Sequence, residues 1–258
     1  MATLQIERGD GYVVVRLDRP PANAINNAMR REIKTTFDAL GQDKGINAVV
    51  LSSTNDRLFC AGRDLREPNL VEDDVVDVRS LLDPLWEWRV AQTAVHECLV
   101  PVIAAVEGTA VGGGFGLVGV CDLVVASHTA RFGLTEINVG MLGGASKALR
   151  LLGPSKARRM LFLGELIDAD EFHRLGGIEE VVEPGSAERR AIEFAAELAK
   201  KSPVAIRLAK ESVLRLEAAQ LMSWYRTEND YSYRMRTHPD SREALDAFLQ
   251  RREPRWQW

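Results

Sequence analysis

The distribution of predicted strands along the chain is the feature that most restricts its fold. Short apolar runs separated by helical patterns predict strands at 3–8, 11–17, 46–53, 100–106, 122–127 and 178–182. From about residue 186 onward no strand pattern occurs, and the spacing predicts helices at 186–201, 204–214, 217–236 and 241–250. The chain is therefore predicted to combine an α/β part with a helical C-terminal region.

Composition excludes several classes of protein. The 258 residues are 46% hydrophobic, enough for a large core, and 33 Lys and Arg stand against 37 Asp and Glu. This balance lacks the basic excess of a nucleic-acid-binding protein. Cys60, Cys98 and Cys121 form no CxxC pair and no HExxH motif occurs, so we expect neither a disulfide framework nor a metal site. Without a signal peptide or an apolar run long enough to cross a bilayer, we expect a cytoplasmic protein that does not bind membranes.

A glycine cluster follows the strand predicted at 100–106. Gly114, Gly116 and Gly119 spell GxGxxG, but they do not directly follow the strand, and the next strand does not end near an acidic residue, so a dinucleotide site is not indicated. Unpaired N–H groups at a helix start can instead stabilise an oxyanion, and the turn at 61–63 (AGR) could supply a second N–H. Taken separately, each segment is more often only a tight turn.

Six segments together resemble the enoyl-CoA hydratase/isomerase (crotonase) family, in order and spacing. They are VVVRLDRPPANAIN (13–26), FCAGRDL (59–65), PVIAAVEGTAVGGGFGL (101–117), CDLVVAS (121–127), FGLTEINVG (132–140) and LAKESV (208–213). The resemblance covers nearly the whole chain. It implies an α/β fold in which a spiral of ββα turns, here residues 1–195, binds acyl-CoA. It also implies a helical C-terminal region, 196–258, that assembles a homotrimer or a dimer of trimers.

The resemblance also implies a set of site residues. Backbone N–H groups of Arg63 and Gly113 would hold the thioester oxygen and stabilise an enolate, and Glu136 would be the catalytic acid and base. The substrate-binding residues implied by the same motifs are Ala22, Ala24, Ala61, Asp64, Leu65 and Arg66. Coenzyme A would enter as part of the substrate, with no other cofactor, no metal and no nucleic-acid partner.

One position departs from the family pattern. Hydratases of the family carry a first glutamate two residues beyond the triple glycine, where this chain has Gly116, and a second in the FGxxE segment, here Glu136. A single glutamate acting as base and then acid suits double-bond isomerisation or hydrolytic C–C cleavage of a β-keto thioester, and it leaves hydration open. Two alternatives therefore stand beside a hydratase/isomerase: ring-opening hydrolysis of a cyclic β-keto acyl-CoA, and a non-catalytic CoA-binding protein.

Aromatic and acidic residues of the C-terminal region are weaker candidates. Leu221, Trp224, Glu228, Tyr231 and Met235 are predicted to share one helix face, with Glu228 either beside the acyl pocket or, more commonly for such a residue, in an ion pair. Tryptophans at positions 86 and 88 could cover an acyl pocket or simply pack in the core.

Overall fold

The computed structural model describes residues 2–67, 82–83 and 85–256, apart from the side chains of 218–220 and 222. Its strands are β1 (Leu4–Arg8), β2 (Tyr12–Leu17), β3 (Ala48–Ser53), β4 (Leu58–Cys60), β5 (Val102–Val106), β6 (Thr109–Val111), β7 (Leu123–Ser127), β8 (Arg131–Gly133), β9 (Leu166–Asp168) and β10 (Glu180–Val182). Its helices are α1 (Asn27–Gln42), α2 (Trp86–His96), α3 (Gly113–Val118), α4 (Ala145–Leu163), α5 (Ala169–Arg174), α6 (Ala187–Ala199), α7 (Pro203–Thr237) and α8 (Pro239–Gln250), with a 3-10 helix at Thr135–Val139.

The strands form two sheets that the chain visits in turn. The first has the order β1-β2-β3-β5-β7-β10, and the second has the order β4-β6-β8-β9. The chain passes from β3 to β4, from β5 to β6 and from β7 to β8, so that each turn contributes one strand to each sheet. This is the predicted spiral of ββα turns, and it confirms the α/β fold class.

Both faces of the first sheet carry buried side chains. Alternate residues of a strand point to opposite sides of a sheet, so neighbouring residues of one strand enter different clusters. Val13 and Val15 of β2 belong to the main core between the two sheets and helices α1 to α4, whereas Val14 belongs to a second cluster on the outer face. Helix α6 covers that outer face with Ala187, Ala191 and Ala195, spaced one helical turn apart. Small side chains at these three positions let the helix lie close to the sheet.

The predicted elements differ from the structure in three places. Strands β4, β6 and β9 were missed, and the sequence indicates β8 only as the extended start of the segment 131–140. Each of these four strands has three residues, which is a short pattern to recognise. The two helices predicted at 204–214 and 217–236 are a single helix, α7, since no glycine or proline lies between Val204 and Thr237. The sequence also predicts a helix at 71–99; the first part of that range lies outside the described residues, and its described part contains α2. It predicts separate helices at 145–152 and 154–163 as well, and a kink at Gly153, whose φ is 71°, confirms the break between them.

The C-terminal helices are fastened to the α/β part by buried polar contacts. Lys210 of α7 lies 2.5 Å from the Asp122 carboxylate, which also accepts a 2.7 Å hydrogen bond from the Val102 N–H. Helices α7 and α8 also contact α4 and the 3-10 helix. The domain boundary predicted between residues 195 and 196 falls inside α6, and the division into two domains stays a prediction. No helix among the described residues is both long and apolar enough to span a membrane.

Candidate active site

The segments predicted to carry chemistry follow three neighbouring strands of the second sheet. Strands β4, β6 and β8 are parallel, with Cys60 opposite Ala110 and Val111 opposite Gly133. Parallel strands place their carboxyl ends at one edge of a sheet, where α/β proteins commonly bind ligands. A cavity of about 340 Å³ opens at this edge. The turn after β4, the start of α3 and the segment after β8 all contribute to its wall.

The two predicted oxyanion segments lie side by side in this wall. Gly62 and Gly112 both have positive φ, 84° and 54°, which turns the chain sharply after each strand. A Cβ on Gly62 would lie 3.1 Å from the backbone nitrogen of Gly113, so the close approach of the two turns requires glycine. Gly113 is the first residue of α3, and helix geometry leaves its N–H without an intrahelical partner. The structure thus brings the Arg63 and Gly113 segments together.

Glu136 projects into the same cavity from the 3-10 helix that follows β8. The residue is partly exposed, but its Oε2 is inaccessible to water and has no hydrogen-bond partner among the described residues. Burial raises the pKa of Glu136 to about 8, and the negative charge of Glu228 adds to the effect. A Cβ at Gly112 or Gly143 would approach Glu136 Oε1 to 3.0 Å or 3.1 Å, so both glycines leave room for the carboxylate.

Behind Glu136 lies a buried cation that the sequence reasoning missed. Lys147 is 1% exposed, and its Nζ lies 3.5 Å from Glu228 Oε1. The ammonium group also lies over the face of the Tyr225 ring. Burial lowers the pKa of Lys147 to about 8. Glu228 therefore belongs to an ion pair, as its more common interpretation proposed, although both side chains also line the cavity. A lysine in the otherwise apolar register of α4 was the available signal.

The remaining predicted residues lie at different distances from the cavity. Ala61 and Leu65 line it directly. Arg66 lines an adjoining cavity, and Asp64 binds Arg19 through a 2.7 Å ion pair. The carbonyl oxygens of Ala22 and Ala24 accept hydrogen bonds from the Ala61 N–H and the Arg19 guanidinium, and neither alanine lines these two cavities. The two tryptophans also differ, since Trp88 lines the cavity and Trp86 stacks on Arg89 instead.

The adjoining cavity is rich in arginine. It measures about 650 Å³ and shares Arg63, Leu65, Met141 and Arg236 with the first cavity. Arg66 and Arg242 add two further guanidinium groups to its wall. Burial, together with the neighbouring arginines, lowers the pKa of Arg236. Arg236 forms no hydrogen bond or ion pair with any described residue. Glu67 and Asp246 also line the cavity, so arginine side chains outnumber carboxylates in its wall.

The face of α7 that packs on the protein is rotated relative to the predicted face. Trp224 and Tyr231, predicted on the same face as Leu221, are 39% and 56% exposed. The buried stripe is instead Leu221, Tyr225, Asn229 and Ser232, and the Ser232 hydroxyl donates to the Leu142 carbonyl at 2.8 Å. Leu221 and Glu228 of the predicted face do pack on the protein, whereas Trp224 and Tyr231 do not.

Comparison with known proteins identifies the class to which this fold and site belong. The sequence profile of the enoyl-CoA hydratase/isomerase family matches residues 7–258, so the chain belongs to this family of acyl-CoA enzymes. The carnitinyl-CoA hydratase from Mycobacterium avium superimposes with a TM-score of 0.86 at 28% identity, covering 99% of this chain and 98% of that chain. The crotonase-type fold implied by the sequence motifs is confirmed.

Two curated relatives have different activities in their names. The chain is 35% identical over 241 residues, 93% of this chain and 96% of the relative, to the (7aS)-7a-methyl-1,5-dioxo-2,3,5,6,7,7a-hexahydro-1H-indene-carboxyl-CoA hydrolase of Mycobacterium tuberculosis. It is 32% identical over 259 residues, 98% of each chain, to the 2,3-dehydroadipyl-CoA hydratase of Escherichia coli. Family membership therefore leaves the reaction open among the activities that its members carry out.

Proposed function

We propose that this enzyme transfers protons at the α-carbon of an acyl-CoA thioester, with Glu136 as the only carboxylate that acts as acid and base. The carboxylate removes the α-proton, and the electron pair of the C–H bond moves to the thioester oxygen to form an enolate. The N–H groups of Arg63 and Gly113 stabilise that oxygen. For isomerisation, the protonated carboxyl then returns the proton to the γ-carbon, which shifts the double bond.

The observation that carries this proposal is the burial of Glu136 beside the two glycine turns. A carboxyl group whose pKa is raised to about 8 by burial is a stronger base, once ionised, than an exposed carboxylate. Because Oε2 is inaccessible to solvent, charge interactions with this oxygen are less screened than they would be in water. Since the reaction needs only proton transfer, the CoA of the substrate is the only cofactor we propose.

The arginine-rich cavity supports a CoA thioester as the substrate class. Coenzyme A carries several phosphate charges, and guanidinium groups bind phosphates in bidentate geometry. Arg66 and Arg242 lie in the second cavity, which shares part of its wall with the cavity of Glu136. We therefore propose that the acyl group occupies the 340 Å³ cavity and that the phosphates occupy the 650 Å³ cavity.

A second candidate reaction is hydrolytic opening of a cyclic β-keto acyl-CoA. The name of the M. tuberculosis relative, a hydrolase of a bicyclic dioxo carboxyl-CoA, and the glycine at position 116 both favour it. Glu136 would accept a proton from water as the water oxygen bonds to the ring carbonyl carbon. The C–C bond would then break, its electron pair would pass to the thioester enolate, and the Glu136 carboxyl would protonate the α-carbon.

A panel of thioesters tests both candidates. Wild type, Glu136→Gln and the surface control Glu183→Gln are assayed with crotonyl-CoA, a 3-enoyl-CoA and cyclic β-keto acyl-CoAs. We expect Glu136→Gln to lose about 10²- to 10⁴-fold in kcat on the active substrate, the usual contribution of a general base, while the control keeps wild-type activity.

The panel also separates the alternatives. Turnover of only the cyclic β-keto thioesters would replace the isomerase proposal by hydrolysis, and rapid hydration of crotonyl-CoA would contradict the hydrolase candidate. Tight CoA-thioester binding without turnover, equal in wild type and Glu136→Gln, would identify a non-catalytic CoA-binding protein and overturn the proposed function.

A further inference from the structure

The space beside Gly116 is filled by a side chain from another helix. A Cβ at position 116 would collide with the amide nitrogen of Gln92 and would lie 3.0 Å from its Cδ and 3.2 Å from its Oε1. Gln92 belongs to α2, and helices α2 and α3 pack against each other. The carboxamide of Gln92 therefore stands where a side chain on residue 116 would otherwise project.

Gln92 is buried, yet its carboxamide forms no hydrogen bond with the described part of the chain. Its exposed fraction is 3%, and Oε1 is shielded from water without a partner among the described residues. Its amide nitrogen likewise donates no hydrogen bond to any residue that the structure describes. Gln92 also lines the cavity that contains Glu136. A buried carboxamide without partners costs free energy, so a ligand that satisfies it gains correspondingly in affinity.

The position of Gln92 along the cavity indicates which ligand atom it meets. Gly116 follows Gly113 by three residues on α3, and side chains with this spacing lie about 5–6 Å apart on a helix. The Gln92 amide lies at the Cβ position of Gly116, so it meets α3 about one turn beyond Gly113. The thioester oxygen and an oxygen on the β-carbon are four bonds apart, so two donors with this spacing can each reach one of them.

We propose that Gln92 is a specificity-determining residue whose carboxamide hydrogen-bonds an oxygen on the β-carbon of the acyl group. The inference rests on the proposed placement of the thioester and refines it by naming the substrate class as β-oxygenated acyl-CoA thioesters. Unlike a glutamate at position 116, the amide is neutral, so it adds no negative charge next to Glu136. It can donate to a carbonyl oxygen, and it can both donate to and accept from a hydroxyl.

Binding measurements with matched acyl chains test this role. The dissociation constants of acetoacetyl-CoA and 3-hydroxybutyryl-CoA are compared with that of butyryl-CoA, which has the same chain length but no β-oxygen. For wild type we expect the oxygenated ligands to bind about 10-fold more tightly. Gln92→Met, similar in size but unable to donate a hydrogen bond, should bring this ratio close to one. Thr93→Val, a buried polar-to-apolar change on the same helix outside this cavity, should keep the wild-type ratio.

A double-mutant cycle tests the geometry without any substrate. Gly116→Ala should destabilise the wild type modestly, because the new Cβ collides with the Gln92 amide and the flexible end of that side chain must move aside. In the Gln92→Ala background the same change should cost much less, because the amide is gone. Equal costs in both backgrounds would show that Gln92 does not occupy this space, and would overturn the proposal even if Gln92→Met proved too unstable for binding studies.

Exchange of the α-protons of butyryl-CoA in D2O separates this proposal from the proposed function. Suppose that exchange is lost in Glu136→Gln and that Gln92→Met keeps the wild-type ratio of dissociation constants for butyryl-CoA and the oxygenated ligands. This result would overturn the role of Gln92 and support the role of Glu136. Absent exchange in wild type, together with a ratio that depends on Gln92, would contradict the proposed proton transfer and support the specificity role.

Discussion

Glu136 is a carboxylic acid held in a setting that disfavours its charge. Its Oε2 is inaccessible to solvent and has no donor among the described residues, and Glu228 lines the same cavity with a second negative charge. The charge of Lys147, which favours ionisation of Glu136, is shared, since Lys147 also pairs with Glu228. Burial accounts for most of the rise in the pKa of Glu136 to about 8. The residue is thus largely protonated at neutral pH in the free enzyme.

Activity should follow the ionisation of Glu136. A base must be deprotonated, so kcat/KM should rise nearly tenfold per pH unit from pH 6 and level off above the pKa of about 8. A pH series of kcat/KM with the best substrate of the panel measures this. A profile that falls between pH 6 and 8 would instead indicate that the protonated carboxyl acts first.

Replacing the acid by an amide should stabilise the protein. The pKa of Glu136 is higher in the folded than in the unfolded chain, so folding is favoured at low pH, and this contribution is lost as pH rises from about 4.5 to about 8. Glu136→Gln should therefore be more stable than wild type by about 2–5 kcal/mol at pH 8.5 and by much less at pH 5. Urea unfolding at both pH values checks this, and an equal difference at both would contradict the ionisation argument.

Glu228 joins two helices by capping one of them. Helix α4 begins after Gly144, which has no side chain to cap it, and the N–H groups of Gly144 and Ser146 donate to the Glu228 carboxylate at 2.7 Å and 2.8 Å. The Ser146 hydroxyl adds a third bond of 2.7 Å. A negative charge at a helix N-terminus is favourable, and here it also pairs with the buried Lys147. These bonds hold helix α7 against the start of α4, which follows the 3-10 helix that carries Glu136.

Loss of this cap should cost more than loss of an ordinary ion pair. Glu228→Ala leaves the α4 N–H groups and the Lys147 ammonium without their partner, and we expect a loss of about 3 kcal/mol in unfolding free energy. Glu217→Ala, on the same helix, removes a more exposed 3.1 Å ion pair with Arg150 and should cost about 1 kcal/mol or less. Similar losses for both variants in urea unfolding would show that the cap contributes little.

At the scale of the whole molecule, large apolar side chains remain exposed on the C-terminal helix α7, on α4 and on β9. The exposed fractions of Leu208 and Leu216 are 65% and 81%, and those of Phe162, Leu163 and Leu166 are 68%, 59% and 47%. Isolated apolar residues on a surface are ordinary, but a set of this kind is typical of a surface that is covered by another chain. It supports the expectation that copies of this chain assemble as a trimer or a pair of trimers.

Light scattering measures that assembly directly. We expect the measured mass of wild type to be a multiple of three chains. Leu163→Asp should shift the population toward monomer, because it would bury a charge in the interface. Arg158→Asp, an exposed change on the same helix, is the matched control and should keep the assembly. A monomeric wild type at micromolar concentration would contradict the expected oligomer.

The sequence predicted elements well where a pattern extended over many residues. The hairpin strands β1 and β2 and helix α6 lie close to the ranges predicted for them, because periodicity is a local property. The sequence also offers Asn26 or Asn27 as the cap of a helix, and α1 is capped by Asn26. Strands β4, β6 and β9, with three residues each, had no such pattern. The order of the six motifs was enough to predict the family, whereas the roles of Glu136, Arg63 and Gly113 stay predictions that the proposed experiments address.

The sequence by itself determined the α/β part and the helical C-terminal region, since strand and helix patterns are encoded locally. The ββα spiral and the acyl-CoA family followed from the resemblance that the six motifs carry. Only the tertiary structure decided what surrounds Glu136 and Gly116. Gln92, Lys147 and Glu228 come from α2, α4 and α7, and no sequence spacing relates them to the motifs. Their proximity follows from how the helices pack, and packing also sets the burial on which the pKa of Glu136 depends.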